Sequence, residues 1–403
     1  MFIFSISFAA RHPSRRWFPL LFLSALTLLC MSCTSSGPAQ PAAGATPHTA
    51  TSTPSPTALP ATPLPDATAL DAYMQQQVRQ EEFNGSVLVA YHGNVFAKGY
   101  GLADRDAGVP NTPHTRFRIG SNSKQFTAMT ILILQERGKL HVTDSVCRYV
   151  PDCPRDWQPI TLANLLTHTS GIPDYTNFPD FAVTWTQPVT PTQLVARFKN
   201  LPLDFPPGTV FRYSNSGYVL LGYIIEQVTG ESYATFLHEA IFAPLHLNDT
   251  GYDSTFPTLP EHATGYYRGY IKPDPYDMSV LYAAGALYST VEDLYTWDQA
   301  LLAHRLVSQR TIDTMFALHQ PCPPPGSPGG CLMHADRGYG YGLFLADEPE
   351  GRLIYHVGRI DGFITFNGFF PQRDLFVVVL TNLETSDVLQ IGRALAAQTV
   401  GGS

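Results

Sequence analysis

The chain has 403 residues, 44% of them hydrophobic and 14% charged, which is enough apolar material for a sizeable core. It carries 25 Lys and Arg against 33 Asp and Glu, a formal net charge of −8, and a sequence pI of about 5.9. No basic cluster occurs beyond a short stretch near the start, so nucleic acid is excluded as an expected partner.

Residues 11–16 (Arg-His-Pro-Ser-Arg-Arg) are basic, and an apolar run from Trp17 to Cys33 follows, the form of an export signal and too short for a membrane span. Its end, Leu28-Leu29-Cys30-Met31-Ser32-Cys33, resembles a bacterial lipoprotein signal with Cys33 as the lipidated residue. Cys30 stands where that signal usually has leucine, so cleavage and release stays open beside a lipid anchor. Either way the protein is expected outside the cytoplasm, as a lipoprotein on the outer face of the membrane or secreted. Residues 34–68 are mostly Thr, Ser, Pro, Ala and Gly and read as a disordered linker. Residues 69–403 then read as one large domain with two lobes.

In that domain a helix is predicted over 70–80, then strands over 85–91 and 95–101 joined at His92-Gly93-Asn94. A buried helix runs from Ser123 towards Gly138. Helical patterns continue over 161–166, 192–199, 217–228, 233–242 and 291–302. Strand patterns return over 339–346, 352–356, 364–370 and 375–381, before a last helix over 386–399. Strands at both ends with helices between predict an α+β fold. Its mainly antiparallel sheet would be built from both chain ends and flanked by helices, with an inserted helical lobe and a cleft between the lobes.

Ser121 and Lys124 lie three residues apart at the start of the buried helix and so share a face. A serine hydroxyl needs a base to become a good nucleophile, and lysine serves only when burial lowers its pKa from about 10.4. The chain has five lysines, and no other has serine three residues before it. A capping serine with a solvated lysine is the competing reading of this pair alone.

Two further clusters suit a cleft. The first is Pro206-Pro207-Gly208-Thr209-Val210-Phe211-Arg212-Tyr213-Ser214-Asn215. There a tyrosine beside an ammonium group can shuttle protons, and an amide can hold a carbonyl. A second Tyr-x-Asn at Tyr175-Thr176-Asn177 keeps the tripeptide from being diagnostic. The second cluster is Tyr355-His356-Val357-Gly358-Arg359-Ile360-Asp361-Gly362-Phe363, where a glycine on a strand admits close approach of a ligand. His356 is there placed to bond substrate or tyrosine.

Cys147 with Cys153 and Cys322 with Cys331 form two close pairs, read as local disulfides in an exported chain. No CxxC or HExxH spacing occurs, so neither a metal nor another cofactor is expected.

In order, these clusters resemble the serine β-lactamase and penicillin-binding protein superfamily, in particular its class C-like branch with esterases and D-aminopeptidases. The resemblance covers roughly residues 70–400. It includes the segments Ile160-Thr161-Leu162-Ala163-Asn164-Leu165-Leu166-Thr167-His168-Thr169-Ser170-Gly171-Ile172-Pro173-Asp174-Tyr175, Ala284-Gly285-Ala286-Leu287-Tyr288-Ser289-Thr290 and Gly338-Tyr339-Gly340-Tyr341-Gly342-Leu343. It implies Ser121 as the acylated nucleophile, Lys124 as its activator, Tyr213 as general base and acid, and Asn215 as a substrate-positioning amide. His356-Val357-Gly358 takes the place of the Lys-Thr-Gly strand motif, and the N–H groups of Ser121 and Arg359 would form the oxyanion hole. No Lys-Thr-Gly or Lys-Ser-Gly occurs in the chain, which argues against a dedicated β-lactamase. Arg359 is the residue that would restore a cation to the cleft. The implied function is an extracytoplasmic serine hydrolase cleaving an ester or amide bond, peptide or lactam, of a small-molecule or cell-wall-derived peptide substrate. The alternative is a penicillin-binding or sensory surface domain with slow or no turnover.

Overall fold

The computed structural model describes residues 62–64, 67–253, 262–275, 277–323, 330–333 and 335–401. The expected export signal, Cys33 and most of the expected linker lie outside the described residues.

Val87 and Val89 face one side of a strand while Leu88 and Ala90 face the other, and all four are buried. Such a strand must be covered on both faces. It is β1 (Gly85–Tyr91), joined to β2 (Asn94–Tyr100) by the two-residue turn His92-Gly93, which leaves Tyr91 paired with Asn94. From the other end of the chain come β3 (Asp336–Tyr339), β4 (Phe344–Glu348), β5 (Gly351–Ile360), β6 (Phe363–Phe370) and β7 (Leu375–Thr381). Their order is β2-β1-β7-β6-β5-β4-β3, all antiparallel, with two-residue strands at the edges: Thr62–Pro63, parallel to β2, and Gln320–Pro321, antiparallel to β3. The two chain ends meet in the β1–β7 pairing, which runs from Tyr91 opposite Leu375 to Gly85 opposite Thr381.

On one face of the sheet pack α1 (Ala67–Arg79) through Leu70 and Met74, and the C-terminal helix through Val388, Ile391 and Leu395. On the other face the core joins Leu88, Val378 and Leu380 to α2 (Ser123–Glu136), α3 (Asn215–Thr229) and α4 (Val291–Leu302); the C-terminal helix is α5 (Val388–Gly401). α2 is buried from Ser123 to Leu134, as expected of a helix with little polar surface. Among the described residues no helix is long and apolar enough to cross a membrane.

Three expectations are corrected. The linker was placed as far as residue 68, but Thr62–Pro63 pairs with β2, Leu64 is buried and α1 begins at Ala67, because Leu64 and Leu70 supply apolar surface to the sheet. The strand predicted over 339–346 is two strands, since the chain turns at 340–343 and Gly340 N–H bonds back to the Leu343 carbonyl. The strand predicted over 352–356 runs on to Ile360, so His356, Gly358 and Arg359 lie inside β5, paired with Asn367, Thr365 and Ile364. Both disulfides, Cys147–Cys153 and Cys322–Cys331, are formed.

Candidate active site

Ser121 sits in a single 3-10 turn, Gly120–Asn122, that opens into α2. The turn is fixed from both sides. Before it, the short strand Phe117–Arg118 pairs with Leu287–Ser289, and Ile119 N–H donates to the Leu287 carbonyl at 3.0 Å. Beside it runs β5. Gly120 has a φ of +50°, and a Cβ there would stand 2.9 Å from Arg359 N; a Cβ on Gly358 would stand 1.8 Å from the Ile119 carbonyl oxygen. The approach that Gly358 permits is therefore made by the chain's own Ile119, not by a ligand as the sequence suggested. Thr365 adds a hydroxyl that lies 3.0 Å from the Ile119 carbonyl and 2.9 Å from the Asn122 side-chain amide.

Lys124, one turn along, is completely buried. Its Nζ lies 2.9 Å from Ser121 Oγ, 2.9 Å from Asn215 Oδ1 and 2.7 Å from the Ala284 carbonyl. Burial lowers its pKa to about 7, against a smaller opposing pull from Asp174. An ammonium would donate to all three partners. The neutral amine donates to Asn215 and Ala284, and keeps a lone pair for the Ser121 hydroxyl.

Asn215, the first residue of α3, is held by the carboxylate of Asp174 (3.2 Å) and the hydroxyl of Thr176 (3.1 Å), both accepting from its Nδ2. That leaves Oδ1 turned to Lys124. The 173–176 loop is clamped to α3 by Ser216, whose hydroxyl donates to the Pro173 carbonyl (2.7 Å) and accepts from Tyr175 N–H (3.0 Å). Burial raises the Asp174 pKa against bonds from Thr176 and Asn215. Tyr175 of the second Tyr-x-Asn is fully buried and donates to the Val280 carbonyl, away from Ser121.

Tyr213 stacks over Lys124, whose Nζ is 4.8 Å from the ring centroid. Its hydroxyl is buried and makes no hydrogen bond of good geometry, although Ser121 is near enough to lower its pKa. Burial outweighs that pull and holds the phenol well above 10, so it rests protonated. His168 fixes the ring from behind. Its backbone is left-handed (φ +57°), its carbonyl accepts from Arg212 N–H (2.9 Å), and its Nδ1 accepts from Ser214 N–H (3.1 Å). With Nδ1 an acceptor the neutral ring carries its proton on Nε2, and burial with Lys124 nearby keeps it neutral. The two ring centroids are 4.2 Å apart.

His356 is buried, with both nitrogens engaged. Nδ1–H donates to the Val357 carbonyl (2.7 Å), and Nε2 accepts from the Tyr339 hydroxyl (3.1 Å). Burial and Lys124 lower its pKa to about 3, so it is neutral. The structure thus places His356 behind the site, bonded to Tyr339 rather than to Tyr213 or the cleft. Arg359 is exposed; it lines the cleft together with Ser121, and its Nη2 donates to the Glu384 carbonyl at 3.4 Å. The cleft has a volume of about 200 Å³ and opens over Ser121 and Asn215.

The sequence reading missed Asp174 and His168. Both lie in or beside segments it had singled out, yet their contacts come from residues 41 and 46 positions away.

A serine hydroxyl, a desolvated lysine and a tyrosine on this fold define a serine hydrolase, and a buried, neutral His356 in place of the strand-motif lysine puts it with the esterase and peptidase kind rather than with dedicated β-lactamases. Residues 70–400 match the Beta-lactamase family, and the chain belongs to it. PbpX of Bacillus subtilis (strain 168) is 34% identical over 308 residues, spanning 75% of this chain and 72% of that protein. Among solved structures, a penicillin binding protein from Bacillus halodurans superposes with a TM-score of 0.71 at 28% identity, over 81% of this chain and 98% of its own. A D-stereospecific amidohydrolase from Streptomyces sp. superposes with a TM-score of 0.72 at 28% identity, over 84% of this chain and all (100%) of its own.

Proposed function

We propose that the protein is an extracytoplasmic serine hydrolase that cleaves an ester or amide bond through an acyl-enzyme on Ser121. The observation that carries this is the Lys124 amine, buried, with a pKa of about 7 and in contact with Ser121 Oγ. The neutral amine takes the Ser121 proton as Oγ bonds to the substrate carbonyl carbon. The Ser121 and Arg359 N–H groups receive the oxyanion, and Asn215, whose amide N–H groups are held by Asp174 and Thr176 and not by substrate as the sequence suggested, keeps Lys124 in place through Oδ1. As the tetrahedral centre collapses, the bond to the leaving group breaks and that group takes a proton from the Tyr213 hydroxyl, which Lys124 re-protonates. Water then cleaves the acyl-enzyme by the reverse relay. The ionisation order supports Lys124 as the base and Tyr213 as the acid, because burial raises the phenol and lowers the amine.

The amidohydrolase neighbour supports small amides as substrates, and cell-wall-derived peptides are a further part of the proposal. Export as a lipoprotein on Cys33, or as a secreted protein, is part of the same proposal. Hydrolysis of p-nitrophenyl acetate tests the reaction. Turnover that falls at least about a thousandfold in Ser121→Ala supports the proposal, and the same turnover in that variant contradicts it. Saturable binding without product release would favour the receptor reading instead.

A further inference from the structure

We infer that the cleft selects an apolar acyl group without a carboxylate: aromatic or long-chain aliphatic esters and amides, rather than acid-terminated peptides. The inference rests on the serine-hydrolase proposal and names its substrate class.

Beyond Ser121 and Asn215, the large apolar side chains lining the cleft are Phe181, Trp185, Leu281 and Ile360, with Thr176 among the polar ones. Phe181 begins the short helix Phe181–Thr184 and Trp185 ends it, with their rings edge to face at a centroid distance of 6.2 Å. Tyr175, fully buried, backs Phe181 edge to face at 5.6 Å. Trp185 is anchored through its carbonyl, which accepts from Asp277 N–H at 2.9 Å. Those two rings and two aliphatic side chains gain little from a polar substituent and much from an apolar one that they remove from water.

The charged groups at the same opening do not offer a carboxylate a home. Lys124 Nζ already has Ser121, Asn215 and Ala284 as partners. His356 is neutral, buried and doubly bonded. Arg359 directs a guanidinium N–H to the Glu384 carbonyl and is attracted to Asp361, whose side chain lines the cleft beside it. Glu384 and Asp274 add further negative charge around Asp361. Asp361 and the acidic groups around it oppose a carboxylate at this opening and offset the attraction of Arg359.

The test is a set of p-nitrophenyl esters sharing one leaving group: acetate, phenylacetate, hexanoate and the hemisuccinate, which carries a free carboxylate. They are assayed on the wild type, Trp185→Ala, Phe181→Ala and Ser121→Ala. The expected result is a kcat/KM for phenylacetate about tenfold or more above acetate, with hemisuccinate below acetate. In Trp185→Ala and in Phe181→Ala the phenylacetate-to-acetate ratio falls towards one. A flat ratio in the wild type, or hemisuccinate as the best ester, overturns the inference. Ester turnover that is lost in Ser121→Ala but shows no acyl preference rejects this inference alone; turnover independent of Ser121 rejects the catalytic proposal as well.

Discussion

At the scale of single residues, the account turns on which group is basic at rest. Lys124 must be neutral to accept the Ser121 proton, and its pKa of about 7 makes it the neutral species above that pH. On the acid side kcat/KM should therefore rise about tenfold per pH unit and level off above pH 7. A profile flat between pH 5 and 8 would assign the proton elsewhere. Lys124→Arg should lower kcat/KM by about a hundredfold or more at every pH, because a guanidinium stays charged. Tyr213→Phe removes the proper donor to the leaving group while leaving Lys124 beside Ser121. It should cost about 10² to 10⁴ in kcat for an amide and less for an ester with a good leaving group. An equal loss for both would make Tyr213 a packing residue only.

Residue identity and spacing made part of this site legible. Ser121 and Lys124 could be read because three residues along a helix fix a shared face, whatever the rest of the chain does. Asp174 could not, because its value lies in holding Asn215 across 41 residues. Nor could His168, whose ring reaches Tyr213 only because its own backbone is left-handed and Ser214 bonds to it. For His356 the sequence leaves substrate and tyrosine open as partners, since a strand position alone does not say which group meets its second nitrogen; in the fold it is a tyrosine, Tyr339.

At the scale of elements, α4 meets β6 through Asp298, completely buried, whose Oδ1 accepts from Asn367 Nδ2 at 2.8 Å. The other oxygens, Asp298 Oδ2 and Asn367 Oδ1, are buried without a partner. Burial raises the Asp298 pKa well above its usual value, and a protonated acid supplies the donor that the pair lacks. The folded state then binds this proton more tightly than the unfolded chain. Its stabilising effect is full below about pH 4 and is lost as pH rises towards the folded pKa, by at most about 1.4 kcal/mol per unit. Asp298→Asn keeps the shape and does not titrate, so its Tm relative to wild type should climb between pH 5 and pH 8. A constant difference would mean that Asp298 is ionised in the fold at both ends of that range.

β5 and the turn at Ser121 form the other junction that matters. Gly358→Ala would drive a methyl group into the Ile119 carbonyl, two residues before the nucleophile. We expect kcat/KM to fall by about a hundredfold or more, and an active, equally stable variant would show that this approach is dispensable. The strand pattern in the sequence ends at His356, two residues before Gly358. The pairing of Gly358 with Thr365 on β6 carries it on to Ile360.

At the scale of the whole molecule, the sheet closes only when the last strand, β7, pairs with the first hairpin, while the catalytic turn is held by β5 from the C-terminal part of the sheet and by Leu287–Ser289 from the middle of the chain. That arrangement could be read from strand patterns at the two termini with helices between them. The small sheet of Phe117–Arg118, Leu287–Ser289 and Gly251–Tyr252 could not, because strands of two or three residues carry no periodic signal, yet it sets where Ser121 begins. Both features serve one claim, that Ser121 is a nucleophile activated by a buried amine.

The intact mass of the protein after exposure to a fluorophosphonate tests that claim most directly, with Ser121→Ala and Lys124→Ala treated alongside. The account predicts a single adduct on the wild type, none on Ser121→Ala and strongly slowed labelling of Lys124→Ala. An adduct of equal yield on Ser121→Ala, or a folded wild type that takes none, would contradict it.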